Sequence, residues 1–326
     1  MNIQEASPAT GWTRRQWLLA TSSSAAAGLV GCQSTPPVLP PATPSGAPPA
    51  TSYPPLEAPA TPVPKPPPRL PRIGLALGGG ASRGFAHIGV IQVLEESGIK
   101  PDLVTGTSAG SVVAALYAAG KSGAELAVLA DSMDETAFAD WSYPGRGLIR
   151  GEALARYVRE QTGKRSIEQL RLPLGIVATD LDSGQAILFQ RGDPGVAVRA
   201  SSAVPAVFQP VKIGSREYVD GGLVAPVPVR FARQMGAEVV IAVDISAAPD
   251  GAATGDAMRM LLQTFSIMGR SINTFELREA DVVLRPKLPG VAGTDFTTRK
   301  RSILAGREAA LAQLAAIRHA IAAKSH

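Results

Sequence analysis

Gly106-Thr107-Ser108-Ala109-Gly110 fits the pattern Gly-x-Ser-x-Gly, in which a serine sits on a sharp strand-to-helix turn with its hydroxyl raised above the fold. Such a turn leaves no room for flanking side chains, hence Gly106 and Gly110, and it sets the serine over a helix N-terminus. Two readings stand for a pentapeptide of this kind, an activated nucleophile and an ordinary turn. A second constellation is Gly78-Gly79-Gly80-Ala81-Ser82-Arg83-Gly84. Successive N–H groups on a backbone without side chains can close around an anion. A P-loop would need Gly-Lys-Ser/Thr where the chain has Arg83-Gly84-Phe85. A dinucleotide fingerprint would need glycine where Arg83 stands and an acidic residue after the second strand, whereas Asp102 precedes it. What remains is an oxyanion hole, in which N–H groups take up the charge developing on an attacked carbonyl.

A nucleophilic serine needs a base. The chain offers three histidines, of which His319 and His326 fall in the charged C-terminal helix and tail. His87 lies one turn into the helix after the glycine loop, among apolar neighbours. It also precedes Ser108, against the Ser–acid–His order of α/β hydrolases, so a packing or supporting role is expected. Val219-Asp220-Gly221-Gly222 supplies a carboxylate instead. Asp220 ends the apolar pair Tyr218-Val219, and Gly221 and Gly222 clear space around it. It reads either as the base of a Ser–carboxylate dyad or as a turn-forming Asp-Gly-Gly.

These residues need elements to hold them. Short apolar runs over 73–78, 103–107, 174–179, 186–189, 239–243 and 282–284 read as strands. Helical patterns over 84–98, 109–120, 122–133, 151–162, 226–236, 254–278 and 295–323 lie between and after them. The alternation predicts an α/β fold, a three-layer α/β/α sandwich around a mostly parallel sheet, over residues 72–326. The stretch 134–150, with Trp141, Tyr143, Pro144 and Gly145, is a candidate lid.

Residues 1–31 read as an export signal. Arg14-Arg15 precede the apolar Trp17-Leu18-Leu19-Ala20, and Thr13-Arg14-Arg15-Gln16-Trp17-Leu18 resembles a twin-arginine motif. Leu29-Val30-Gly31-Cys32 resembles a lipobox, and Cys32 is the chain's single cysteine. That excludes an internal disulfide and a Cys-based zinc site and marks Cys32 as the expected lipid attachment point. Gln33 after it favours the outer membrane, on the periplasmic side. Residues 32–71 form a Pro/Ala/Thr-rich tether without core-building residues. Fully extended, it would reach roughly 120 Å at about 3.1 Å per residue. The formal net charge of +5 is spread along the chain, which argues against a nucleic-acid partner and leaves a mild attraction to anionic lipid surfaces.

In this order, residues 78–84, 106–110 and 220–222 resemble the motifs of the patatin-like phospholipases, in particular the bacterial branch related to the neuropathy target esterase catalytic domain. Flanking stretches look similar too: Gly84-Phe85-Ala86-His87-Ile88-Gly89-Val90, Ala178-Thr179-Asp180-Leu181 and Arg199-Ala200-Ser201-Ser202-Ala203-Val204-Pro205. The resemblance covers about residues 72–246 and becomes vague from 250 onward. Ala225-Pro226 departs from it, since relatives often carry polar residues after Asp-Gly-Gly. The resemblance implies a Ser108–Asp220 dyad and an acyl-serine intermediate, without metal or cofactor. Gly78, Gly79 and Gly80 would hold the oxyanion, and Arg83 and Gly84 would shape the loop. The substrate would be a membrane phospholipid, lysophospholipid or other fatty-acyl ester. The contrasting reading is a catalytically idle lipid-binding or scaffold lipoprotein, working through its pocket or through the helices after residue 250.

Overall fold

The computed structural model describes residues 69–133, 140–141, 146–247, 255–291 and 296–325. The leader, Cys32 and the tether up to residue 68 lie outside them, as do His326 and, in the expected lid, Tyr143, Pro144 and Gly145. Of that segment Trp141 is described, 69% exposed and bridged to Ile149.

The sheet is built on β1 (Ile73–Leu77), β2 (Leu103–Thr107), β4 (Leu174–Asp180), β9 (Val239–Val243) and β10 (Val282–Leu284), extended by β8 (Arg216–Asp220) and β7 (Val211–Ile213), and it runs β10-β9-β1-β2-β4-β8-β7. The first five strands in that order are mutually parallel. Both β7 and β8, and one more strand, β5 (Ala186–Phe189), join antiparallel. Parallel strands covered on both faces are apolar throughout, and every residue of β1, β2 and β9 is buried. Alternate residues serve the two faces. Leu75, Leu77, Ile241 and Val243 pack with α1 (Phe85–Glu96), α2 (Ala109–Ala118) and α8 (Arg299–Ala323). Ala76, Val240 and Ala242 pack with α6 (Val229–Gln234). The α/β/α layering expected from the sequence is therefore present.

The α8 helix belongs to this architecture although its sequence carries no motif. A Cβ at Gly306 would lie 1.9 Å from Ala86 O, and one at Gly89 would lie 1.9 Å from Ile303 O. The two helices thus touch backbone to backbone, which side chains at those positions would forbid.

Several elements escaped the sequence reading. α5 (Pro194–Ser201) is capped by Asp193, whose carboxylate accepts the Gly195 and Val196 N–H groups, with Pro194 opening the helix. A short two-stranded sheet pairs β3 (Gly147–Ile149) with β6 (Ala206–Phe208). The remaining helices are α3 (Gly123–Ser132), α4 (Glu152–Gln161) and α7 (Ala257–Glu276). The helix expected over 226–236 begins only at Val229, behind Pro226 and Pro228.

Candidate active site

Ser108 stands between the end of β2 and the start of α2 with φ 52 and ψ −125, a conformation that a residue with a Cβ adopts only under strain. The glycines beside it are required by contact. A Cβ at Gly110 would lie 2.2 Å from Leu77 O, and one at Gly106 would lie 2.6 Å from Gly110 O. Hydrogen bonds hold the turn on both sides. The Ser108 N–H donates to Ser201 Oγ at 2.8 Å, and the buried Ser201 hydroxyl donates onward to Val177 O at 2.6 Å. The Ser108 carbonyl accepts from Ser111 N–H at 2.8 Å and from Ser111 Oγ at 2.6 Å.

Strand pairing places Asp220. The first half of β4 pairs with β2, ending at Val177 opposite Thr107. β5 lies along the other edge of β4, from Ile176 to Thr179. β8 must therefore approach from the β2 side, and it does so where β2 stops, with Asp220 opposite Ala178. The chain's elbow and its Asp-Gly-Gly turn meet there. The Asp220 backbone is pinned by its N–H to Ala203 O at 3.0 Å and by the Thr179 hydroxyl donating to Asp220 O at 2.8 Å. Its side chain is buried, with Oδ1 accepting the Gly222 N–H at 2.7 Å and Oδ2 completing no hydrogen bond. Burial pushes the carboxyl up to about 6, while the Ser108 side chain and the Gly222 N–H act in the opposite direction. Gly221 is a contact glycine, since a Cβ there would lie 2.2 Å from Val177 O.

In the glycine loop the structure narrows the expected donor set. The Gly78 N–H is committed to Val243 O at 3.1 Å and the Gly79 N–H to Pro226 O at 2.9 Å. The Gly80 N–H takes no backbone acceptor among the described residues, and Gly80 O accepts the Arg83 N–H at 3.2 Å. Gly79 instead provides closeness, because a Cβ there would lie 3.1 Å from Ser108 Cβ. Gly84 packs similarly on Ala109 Cβ, at 2.9 Å from the position of a Cβ. Burial lowers the pKa of the Arg83 guanidinium, with Asp244 opposing the shift.

His87 is fully buried and bonded through Nε2 to Gly78 O at 2.8 Å, while Nδ1 has no partner. A carbonyl acceptor fixes the proton on Nε2. Burial lowers the His87 pKa to about 4, so the ring is neutral near pH 7. His87 braces the glycine loop and makes no bond to Ser108. His319 is exposed on α8.

Ser201, Thr179 and Ser111 were not found from the sequence. The Arg199–Pro205 and Ala178–Leu181 stretches that carried part of the resemblance were the available signal for the first two. The Ala225-Pro226 departure also has a physical account. Ala225 O accepts the Thr107 hydroxyl at 2.8 Å and Pro226 O accepts the Gly79 N–H, so this segment acts through backbone carbonyls and needs no polar side chain.

Comparison with known proteins places the chain beside one family. Residues 75–233 match the family model described as patatin-like phospholipase. An NTE family protein of Mycobacterium tuberculosis is 38% identical over 204 residues, 62% of this chain and 56% of that protein. Patatin-like phospholipase domain-containing protein 6 of Mus musculus is 37% identical over 183 residues, 53% of this chain and 13% of that one. The chain thus spans about half the length of the mycobacterial relatives it matches. Among solved structures, VipD from Legionella pneumophila shares the fold with a TM-score of 0.50 at 14% identity, over 76% of this chain and 67% of that one.

Proposed function

From the patatin-like phospholipase domain that this chain carries over residues 75–233, we propose a serine esterase that hydrolyses fatty-acyl esters of phospholipids or lysophospholipids. The observation that carries this reading is the pairing of β4 with both β2 and β8, which brings a buried carboxylate with an uncommitted Oδ2 to the serine elbow. A carboxylate is a weak base for a hydroxyl, and a folded-state pKa near 6 makes it a better one while leaving it ionised near pH 7.

In the first step Ser108 Oγ bonds to the ester carbonyl carbon as its proton passes to Asp220 Oδ2. The carbonyl oxygen takes the negative charge and is held at the Gly80 N–H. The intermediate then collapses, the carbon–oxygen bond to the alcohol breaks, and the Asp220 proton goes to the departing oxygen. Water attacks the acyl-serine, gives its proton to Asp220, and the fatty acid leaves as the proton returns to Ser108 Oγ. The test is turnover of a soluble short-chain ester and of a fluorogenic phospholipid by the full chain. Activity that vanishes with Ser108→Ala supports the reading. Activity untouched by Ser108→Ala sinks it, and no activity on either ester sinks it in favour of the idle lipid-binding protein.

We further propose that the chain is an envelope lipoprotein anchored through Cys32, on the strength of the lipobox pattern and the single cysteine. The anchor and the Pro-rich tether would hold the hydrolase domain at the periplasmic face of the outer membrane. Metabolic labelling with a palmitate analogue should tag the wild type and not Cys32→Ser, and equal labelling of both would refute the anchor.

A further inference from the structure

The α7 helix is unusual in what it leaves outside. Only Gly269, Asn273 and Glu276 of its 20 residues are buried. At about 100° per residue these three fall on one side of the helix, and Met260, Ile267, Met268 and Phe275 gather on the opposite side. Those four are 57%, 51%, 47% and 68% exposed, and with the small polar Thr264 and Ser271 between them they form a largely apolar stripe aimed away from the domain. Arg259 and Arg270 lie along one flank of it by the same count, and Arg278, just past the helix, sits over the Phe275 ring at 5.3 Å. No carboxylate pairs with Arg270 or Arg278 among the described residues, and both line a cleft of about 480 Å³ that also holds Arg285, itself paired with Asp244 at 3.5 Å.

We propose that α7 is a docking surface for an anionic lipid membrane. Its apolar stripe would lie in the acyl layer, with Arg270 and Arg278 at the phosphates. A helix with an apolar face, a cationic flank and modest overall hydrophobicity suits the interface plane. In keeping with this, no described helix is long and apolar enough to cross a bilayer. The unpaired arginines decide in favour of an anionic surface over a second copy of this chain, because two such faces would bring like charges together. The docking also rests on the esterase reading for its purpose, since α7 is fastened to the segment beside the dyad. Asn273 Oδ1 accepts the Val227 N–H at 3.2 Å, next to the Pro226 carbonyl that holds Gly79. Gly269 meets Pro226, 3.4 Å from where a Cβ would stand, and Glu276 pairs with Arg230 of α6. A membrane touching the stripe would thus lie across the width of α7, about 10 Å, from the segment that follows the Asp-Gly-Gly turn.

The experiment is vesicle sedimentation with the full chain carrying Cys32→Ser, so that no acyl anchor contributes. Vesicles of phosphatidylcholine alone are compared with vesicles containing phosphatidylglycerol. Ile267→Asp with Phe275→Asp should lower binding to the anionic vesicles at least tenfold. Arg270→Glu with Arg278→Glu should lower it by about tenfold or more and erase the preference over phosphatidylcholine. Leu304→Asp with Leu311→Asp, which alters exposed apolar residues on α8, should bind as before. All three should hydrolyse a soluble short-chain ester at the unmodified rate. Unchanged vesicle binding by the α7 variants, or equal loss in the α8 control, overturns the proposal. So does loss of self-association in the α7 variants, seen by light scattering, with vesicle binding intact. A chain that binds vesicles through α7 yet hydrolyses no soluble ester refutes the esterase reading and leaves the docking surface standing.

Discussion

Asp220 occupies, along one edge of β4, the rung directly after the one that Thr107 fills. A parallel strand ends and an antiparallel strand begins at the same place, so the residue that follows β2, Ser108, meets the last residue of β8. The proposed catalytic pairing would thereby be set by strand register, which a slip of one residue would turn to the opposite face of the sheet.

Protonation of Asp220 should govern the pH–rate profile. With the carboxyl near 6, kcat/KM should rise with pH through that value and level above it, falling about tenfold per pH unit on the acid side. His87, held near 4 and bonded to the loop, should add no step between pH 5 and 8. A profile flat across pH 5–7 would contradict the assignment of the base.

The same raised value has a cost for the fold. Because the folded-state pKa lies above the usual carboxylate value, the stability linked to Asp220 is present below about pH 4 and is lost as pH rises through about 6. Asp220→Asn should therefore unfold at a higher temperature than wild type at pH 8, with a gain of up to roughly 3 kcal/mol. The gain should disappear at pH 4. Thermal melts at the two pH values check this, and a variant less stable than wild type at pH 8 would count against it.

Ser201 should prove a positioning residue. Replacing it with Ala leaves the Ser108 N–H and Val177 O without their shared partner, a loss of about 1–3 kcal/mol in a buried site. It should also lower kcat by about tenfold or more with little change in KM, because the elbow loosens and the substrate pocket does not. A fall in thermal stability with kcat unchanged would make Ser201 structural only.

Two glycine substitutions should separate folding from chemistry. Gly110→Ala places a methyl group 2.2 Å from Leu77 O and should prevent folding. Gly79→Ala meets Ser108 Cβ at 3.1 Å, a contact that a small shift relieves. It should fold and lose about 10²–10³ in kcat as the serine and the adjacent Gly80 donor are pushed apart. Full activity in a folded Gly79→Ala would contradict the closeness assigned to that loop.

The sequence was most legible where one residue type answered one steric demand. The glycines of the elbow and loop, and the buried apolar runs of β1, β2, β4 and β9, are of that kind. β8 was read only at Tyr218-Val219, because Arg216 and Glu217 are charged and pair with Asp180 and Arg146, so the strand lacks an apolar run. α5 was missed because Gly192-Asp193-Pro194-Gly195 resembles a turn, although Asp followed by Pro is also a helix start. The role of Ser201 followed from neither composition nor periodicity, since it depends on β4 and α5 meeting across the elbow. The partition of the loop amides is likewise set by tertiary contacts that no local pattern encodes. Val243 O and Pro226 O claim two of the three glycines, and both lie more than 140 residues away in sequence.

The dyad is tested most directly by fluorophosphonate labelling of the folded full chain, with the modified peptide mapped by mass spectrometry. This reports an activated serine without assuming a substrate. Ser108 should be labelled in the wild type. Labelling should be lost in Ser108→Ala and fall on the order of 10³-fold in Asp220→Asn, and it should persist in the folded fraction of His87→Ala. Rapid labelling of Ser108 in a well-folded Asp220→Asn, or its complete loss in a well-folded His87→Ala, would contradict the Ser108–Asp220 dyad.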